Sequence, residues 1–232
     1  MTFSTGLRKE AEPLFEAIYQ HPFVRGLAAG KLEKEQIIHY VKQDAEYLQA
    51  FIKIYAAALS RCTDREDIAF FHQQIAFVLD SETHPHQNLC RVAGVAYDEL
   101  QGASLAPSAH HYIHHMLQVA QEGTLGEIIA VLLPCPWTYW EIGKRMLTDV
   151  QPDPSHPFYE WITFYGGLTD SVTGELCRRL DQLAESASEK EKEKMKQHFV
   201  LSCQLEYKFW EMAFTVEEWP VQLEVHSSWH GR

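Results

Sequence analysis

The sequence has few of the residues from which disulfide frameworks, zinc sites and membrane spans are built. Its five cysteines are an odd number, and no two of them have the CxxC spacing of a zinc or redox motif. No apolar run approaches the roughly 20 residues that a spanning helix needs, and the N-terminal stretch lacks the apolar core of a signal peptide. We therefore expect a soluble protein of a reducing compartment, the cytoplasm, with no membrane partner.

Positive charge and turn-forming residues are also scarce. Against 32 Asp and Glu there are 20 Lys and Arg, so the net charge is −12, and no basic block supplies the charge that nucleic-acid binding needs. The 12 Gly and 10 Pro are few for a β protein with many turns. A hydrophobic content of 46% with 22% charged residues is typical of a packed globule. Since no linker or repeat interrupts the sequence, we expect one domain over residues 1–232.

Helical periodicity runs through most of the sequence. From Leu32 to Leu59, apolar residues recur at three- and four-residue steps, which is the pattern of one buried helix face. Helix starts are predicted at Asp64, Ser108, Thr124 and Ser188, and a helix stop at Gly166-Gly167. The pattern predicts an all-α, single-domain helical bundle of about seven or eight helices, with no strand.

Three side chains with acid or thiol chemistry lie on helix faces that should face the core. On a helical wheel, at about 100° per residue, Asp44, Cys135 and Glu206 each align with apolar residues of their own helix. A buried carboxylate is costly unless it has partners, and each one alone is best explained as a structural residue in a hydrogen-bonded pair. A buried Cys alone is usually core packing. Together, however, such groups need either each other or a ligand.

Two further features accompany this pattern. Cys135 stands in Pro134-Cys135-Pro136, and each interior proline removes a backbone hydrogen bond and kinks the helix, which could turn the sulfur toward a cavity. Glu82 and His86, one helical turn apart, lie in an apolar stripe as well. We interpret them as a polar network between helices rather than as a metal site.

These residues belong to motifs by which the chain resembles the TenA family, also called thiaminase II or aminopyrimidine aminohydrolase. The resemblance covers nearly the whole chain. It rests on His21-Pro22-Phe23-Val24, the stretch from Tyr40 to Leu48, Glu82-x-x-x-His86, Leu133-Pro134-Cys135-Pro136-Trp137 with Tyr139, Phe164-Tyr165-Gly166-Gly167, Phe199-Val200, and Glu206-Tyr207-x-Phe209-Trp210.

The resemblance implies a heme-oxygenase-like fold, a homotetramer and a role in thiamin salvage, with no cofactor or metal. Members with the Cys hydrolyse 4-amino-5-aminomethyl-2-methylpyrimidine to the hydroxymethylpyrimidine and ammonia, and cleave thiamin into its pyrimidine and thiazole halves. By the same resemblance, the pyrimidine site contains Asp44, Tyr112, Cys135, Tyr139, Tyr165 and Glu206, with Tyr47 and Phe209 as further walls. Glu82 and His86 are expected to support the site from behind.

The expected chemistry is covalent catalysis by a thiolate. We hypothesise that Cys135 adds to the pyrimidine ring, that Asp44 holds the amino group and adjacent ring nitrogen, and that Glu206 transfers protons. The roles of Asp44 and Glu206 could be exchanged. The sequence does not identify the group that activates the thiol.

Two other functions compete with this interpretation. A di-metal oxidase of the same helical architecture needs several inward carboxylate and histidine ligands. Glu141, however, falls away from the Cys135 face, and the histidines between His110 and His115 are divided around a mostly exposed face. A regulatory protein that contacts DNA is disfavoured by the charge of −12.

Overall fold

The computed structural model describes residues 1–80, 83–168 and 172–221, and within these ranges the regular structure is entirely helical. The first six α-helices are α1 (Phe3–Glu10), α2 (Glu12–Tyr19), α3 (Pro22–Ala29), α4 (Lys34–Leu59), α5 (Arg65–Asp80) and α6 (Thr83–Ala93). A 3₁₀ turn, Tyr97–Leu100, precedes α7 (Pro107–Glu122), α8 (Leu125–Leu132), α9 (Pro134–Asp149), α10 (Tyr159–Gly166), α11 (Val172–Ser186) and α12 (Glu189–Thr215).

The helix ends follow the local signals in the sequence. Asp64 accepts a hydrogen bond from the backbone N–H of Asp67 at 2.9 Å at the start of α5, and capping boxes begin α8 at Thr124 and α12 at Ser188. Gly167 follows the last residue of α10. These predicted boundaries are confirmed, because each depends on contacts within one turn of the chain.

The described residues form twelve α-helices instead of the seven or eight expected. Three short N-terminal helices, broken at Ala11 and His21, account for part of the difference. The apolar run around Cys135 is also divided, since α8 ends at Leu132 and α9 begins with Pro134 in its first turn. A proline in a first turn loses no helical hydrogen bond, so Pro134 begins a new helix rather than kinking one.

The two longest helices, α4 and α12, contact each other and carry much of the core. Helix α4 also contacts α5, α6, α7 and α8, while α12 also contacts α2, α3, α7, α8 and α9. Large fully buried rings fill the space between them, among them Tyr40 and Trp210, which stack with centroids 5.6 Å apart. No helix within the described ranges combines the length and the apolar character needed to cross a bilayer.

Helices α9 and α10 approach each other at two glycines. A methyl group at Gly143 would lie 2.4 Å from the backbone nitrogen of Gly166, a separation that real side chains do not adopt. This close approach brings the rings of Tyr139 and Tyr165, on the two helices, to 5.0 Å between centroids. The glycine pair therefore sets the distance between two aromatic side chains.

Ion pairs connect the outer helices to this core. Arg8 on α1 donates two hydrogen bonds to Glu141 on α9, at 2.8 and 2.7 Å. Arg179 on α11 is 3% exposed, and its Nε donates to Asp67 on α5 at 2.6 Å. These contacts join distant parts of the chain and connect α1 to α9 and α5 to α11.

Candidate active site

The candidate site is a cavity enclosed by α4, α5, α9, α10 and α11. The empty space between these helices, part of it open to solvent, is about 620 Å³. Five of the side chains that the sequence predicts for a site line it: Asp44, Tyr47, Cys135, Tyr139 and Tyr165.

Asp44 belongs to a buried chain of hydrogen bonds. Its Oδ2 accepts from the hydroxyl of Tyr40 at 3.2 Å and from Nε2 of His86 at 2.6 Å. The Tyr40 hydroxyl lies 2.8 Å from that of Tyr139, and Nδ1 of His86 lies 3.4 Å from the hydroxyl of Tyr97. The carboxylate is thus held from two sides through one oxygen, while Asp44 itself lines the cavity.

This geometry fixes the tautomer of His86, which is 1% exposed. A carboxylate oxygen can only accept, so Nε2 of His86 carries the hydrogen of the bond to Asp44. In the neutral imidazole, Nδ1 is then the acceptor for the hydroxyl of Tyr97. The 3₁₀ turn that carries Tyr97 therefore orients His86, and His86 in turn orients Asp44.

Glu206 lies against the thiol of Cys135. It accepts a hydrogen bond from the Tyr112 hydroxyl at 2.8 Å, Oγ1 of Thr138 lies 3.4 Å from its Oε2, and the Cys135 side chain also bonds to it. Burial raises the pKa of Glu206 to about 8 against the pull of the Tyr112 hydrogen bond, and the negative charge of Asp44 adds to the rise. A buried carboxyl group that is largely protonated near neutral pH thus faces a thiol.

The tyrosines around these acids are hydrogen-bond donors. Burial raises the pKa of Tyr40, Tyr47, Tyr112 and Tyr139 well above the ordinary value, so their phenols stay protonated across the physiological range. Their rings also build the walls, with Tyr47 centred 5.1 Å from Tyr112. The site combines flat apolar surfaces with a few fixed polar groups, as ligand pockets commonly do.

The other predicted residues lie one layer behind the cavity surface. Tyr112, Glu206 and Phe209 are buried and are not among its described lining residues. Tyr112 and Glu206 reach the site through their hydrogen bond and the contact with Cys135, whereas Phe209 packs against Tyr47 with ring centroids 5.5 Å apart. Of the two residues expected to support the site, His86 contacts Asp44 directly, and Glu82 lies outside the described residues.

Several residues of the site were not assigned to it from the sequence. Tyr40 stands one helical turn before Asp44 and Thr138 one turn after Cys135, so helical spacing alone could have indicated both. The cavity also includes Gln74 on α5 and Thr173 on α11. Nothing in the sequence signals these two, because only the packing of separate helices brings them to the cavity.

The residues considered for a metal site lie apart. Glu141 is bound by Arg8, the rings of His110 and His114 are 4.1 Å apart on α7, and His115 faces His198 on α12 at 5.6 Å. Within the described ranges, no three His, Cys, Asp or Glu side chains converge in a way that could hold a metal ion.

Comparison with known proteins places these features in a family context. The model of the TENA/THI-4/PQQC family matches residues 8–215. A protein of Halalkalibacterium halodurans named aminopyrimidine aminohydrolase is 34% identical over 221 residues, which are 94% of this chain and 98% of that protein. A protein of Staphylococcus aureus with the same name is 33% identical, over 94% of this chain and 96% of its own length.

Solved structures agree on the fold. A TenA homologue from P. horikoshii superposes with a TM-score of 0.78 at 24% identity, covering 93% of this chain and 99% of its own. A TenA family transcription regulator from Silicibacter has a TM-score of 0.78 at 28% identity, covering 92% and 96%. A heme oxygenase from Synechocystis, at 12% identity and a TM-score of 0.53 over 91% of each chain, shares the helical fold alone. On the family match and the 34% identity over nearly the whole chain, this chain belongs to the TENA/THI-4/PQQC family.

Proposed function

We propose that this protein is an aminopyrimidine aminohydrolase of thiamin salvage. It converts 4-amino-5-aminomethyl-2-methylpyrimidine to the hydroxymethylpyrimidine and ammonia, and it cleaves thiamin to hydroxymethylpyrimidine and thiazole. The observation that carries the proposal is the contact between Cys135, on the cavity surface, and Glu206, whose carboxyl group has a pKa of about 8. The names of the H. halodurans and S. aureus relatives support the same activity.

Asp44 anchors the pyrimidine in this proposal. The amino group and the adjacent ring nitrogen form a donor and acceptor pair, and a carboxylate is the natural partner for the donor side. The hydrogen bonds to Tyr40 and His86 both use Oδ2 of Asp44, so in this proposal Oδ1 binds the substrate. The rings of Tyr47, Tyr139 and Tyr165 stack on or edge the flat heterocycle.

Cys135 acts as the nucleophile. Its thiolate forms a bond to the ring carbon next to the substituted one, and the displaced electron pair is protonated at a ring nitrogen. The C–N bond of the side chain then breaks, so that the amine or thiazole leaves and an exocyclic methylene remains. Water adds to that methylene carbon, the C–S bond breaks as the ring nitrogen releases the proton it gained, and the aromatic ring is restored with a hydroxymethyl group. One difficult displacement is thereby divided into easier steps.

Glu206 supplies and accepts the protons of these steps. Its pKa of about 8 makes both the acid and the carboxylate form accessible near neutral pH, and its hydrogen bond with Cys135 gives it direct contact with the thiol. As carboxylate it accepts the thiol proton, and as acid it protonates the departing amine. It then accepts a proton from the attacking water. Tyr112 and Thr138 hold its two oxygens in place.

Product analysis tests the proposal directly. Mass spectrometry after incubation with the aminomethylpyrimidine or with thiamin should detect hydroxymethylpyrimidine. Replacing Cys135 with Ser should nearly abolish turnover and leave pyrimidine binding measurable. Cys62→Ser is the matched control, because Cys62 is also partly buried but lies at the end of α4 and bonds to Ala58 O at 3.3 Å. Retention of most of the rate in Cys135→Ser would remove Cys135 from the nucleophile's role.

We also propose that the protein works in the cytoplasm as a homotetramer, as the family resemblance implies. Four large apolar side chains are exposed, Leu79 at 57% and Ile68 at 39% on α5, Val92 at 41% on α6 and Leu201 at 39% on α12. These are the positions at which the proposed contact between subunits can be tested.

A further inference from the structure

The cavity is longer than one pyrimidine ring. Its lining residues on α4 run from Asp44 to Tyr55, and at 1.5 Å per residue these positions are roughly 16 Å apart along the helix. The proposed chemistry uses the end with Asp44, Tyr47 and Cys135. The other end, beyond Phe51, has no role in that chemistry.

The packing of α5 and α11 determines which side chains reach this second end. The rings of Tyr55 and Phe71 are 6.1 Å apart, so the middle of α5 lies beside the last turns of α4. Arg179 of α11 bonds to Asp67 of α5. Gln74, which lines the cavity, comes after Asp67 on α5. Thr173, which also lines the cavity, comes before Arg179 on α11. Gln74 and Thr173 therefore both lie on the cavity side of the Arg179–Asp67 pair.

Thr173 has a buried hydroxyl group without a hydrogen-bond partner among the described residues. The residue is 3% exposed, and its Oγ1 has no hydrogen-bond partner anywhere in the part of the chain that is described. Buried polar groups in folded proteins are almost always paired, because an unpaired one has lost its water without compensation. Thr173 also lines the cavity, which makes a molecule bound there a candidate partner for this hydroxyl.

The surroundings of Thr173 restrict the chemistry of that molecule. Phe77, Leu168 and Val172 also line the cavity, and among the described lining residues Asp44 alone has a charged side chain. An ammonium or phosphate group at this end would lose its hydration without gaining a counter-charge. An uncharged group that both donates and accepts hydrogen bonds would satisfy Thr173 and the Gln74 amide.

We propose that Thr173 and Gln74 form a subsite for a hydroxyl group at the far end of the portion of the substrate that leaves with the nitrogen. This inference rests on the proposed function, which positions the pyrimidine at Asp44 and directs the leaving portion along α4. Thiamin has such a portion, a thiazolium ring with a hydroxyethyl arm, whereas the aminomethylpyrimidine has none. The subsite therefore favours the longer substrate by recognising its hydroxyl.

The experiment compares thiamin with an analogue that has ethyl in place of hydroxyethyl. For the wild-type protein we expect kcat/KM to be about 3- to 10-fold higher for thiamin, the effect of one hydrogen bond between neutral groups. In Thr173→Val the ratio should fall to about 1, and in Thr173→Ser, which keeps the hydroxyl, it should remain. Ser202→Ala is the matched control, because Ser202 also has a buried hydroxyl with no partner in the described residues but does not line the cavity; its ratio should be that of the wild type.

Three results would overturn the inference. These are equal kcat/KM for the two substrates in the wild type, an unchanged ratio in Thr173→Val, or hydrolysis of the aminomethylpyrimidine without any cleavage of thiamin. In the first two cases the proposed function stands, because thiamin is still cleaved. In the third case the hydrolysis of the aminomethylpyrimidine stands and the proposed cleavage of thiamin fails. If the wild type hydrolyses neither compound, the proposed function fails and the subsite with it. The wild-type comparison decides the matter even if Thr173→Val does not fold.

Discussion

At the scale of single residues, Glu206, the proposed group for proton transfer, also affects stability. Its pKa of about 8, raised mainly by burial from the ordinary 4.5, means that the folded protein binds a proton that the unfolded chain releases between these two values. The stabilising contribution of the neutral carboxyl is complete below pH 4.5 and is lost as the pH rises through 8. Between those values the free energy of unfolding should fall by up to about 1.4 kcal/mol per pH unit on account of this one group.

Glu206→Gln removes that titration. We expect the stability difference between the wild type and the variant to move in favour of the variant as the pH is raised from 6 to 9, measured by urea unfolding at each pH. Glu193→Gln, on the exposed face of the same helix, is the control and should show no such trend. A difference that stays constant with pH would contradict a buried, neutral Glu206.

The same variant should lower kcat more than it weakens binding of the pyrimidine.

His86 is expected to act through Asp44. His86→Leu removes the donor to Oδ2 that lies at 2.6 Å, and a lost hydrogen bond to a charged group should raise KM by about 10- to 100-fold. The kcat value should change much less, because the thiol and Glu206 are untouched. Steady-state kinetics with the aminomethylpyrimidine give both values.

Two further variants separate positioning from general damage. His86→Gln restores an N–H donor and should recover most of the lost affinity. Tyr97→Phe removes only the longer contact of 3.4 Å and should have a small effect on KM. If Gln is as damaging as Leu, or if kcat falls as steeply as KM rises, His86 has a different role.

The sequence predicted the acids and the thiol better than it predicted their partners. Asp44, Cys135 and Glu206 stood out because each lies on an apolar helix face, which is visible within one helix. Their contacts with His86 and Tyr112 join positions far apart in the chain, and no periodicity encodes such contacts. Thr173 gave no signal at all, since a threonine near a helix start is ordinary.

At the scale of helices, the pair Gly143 and Gly166 holds α9 and α10 together. Gly143→Ala would place a methyl group 2.4 Å from the Gly166 nitrogen, so the helices must separate. We expect the free energy of unfolding to fall by about 1–3 kcal/mol, as for other overpacked sites. Because Tyr139 and Tyr165 line the cavity on these helices, kcat/KM should fall as well. Thermal or urea unfolding and steady-state kinetics measure the two effects.

Gly6→Ala is the control for this helix-packing prediction. Gly6 lies within α1, and a methyl group there would meet nothing within 4 Å. Alanine is favoured over glycine in an open helix by about 0.5–1 kcal/mol, so this variant should be as stable as the wild type or slightly more stable. A loss of stability in Gly143→Ala no greater than in Gly6→Ala would show that the close approach is unimportant.

Helix boundaries were predictable where a cap is local, as at Asp64, Thr124 and Ser188. The number of helices was not, because the breaks at Ala11 and His21 depend on how α1, α2 and α3 pack against α11, α9 and α12. The contact that places α11 beside α5, between Arg179 and Asp67, is likewise a property of the folded chain. One face of a helix can be read from its sequence, but the neighbour of that face cannot.

At the scale of the whole molecule, the homotetramer is the remaining prediction. Light scattering coupled to size-exclusion chromatography should give four times the chain mass of 26.8 kDa. Leu79→Lys, at an exposed apolar side chain, should shift the mass toward smaller species if that surface is buried between subunits. A wild-type mass of one or two chains would contradict the tetramer.

The unbroken course of α4 past the cavity has a consequence for how such a protein can change over evolution. One residue inserted between Asp44 and Phe51 would rotate all later side chains of α4 by about 100° about the helix axis. Asp44 and Phe51 would then no longer face the same cavity. Length changes in this stretch should therefore be absent among active relatives, whereas point substitutions at Phe51 or Tyr55 remain open. New substrate preferences would arise by exchanging side chains along a helix of constant length.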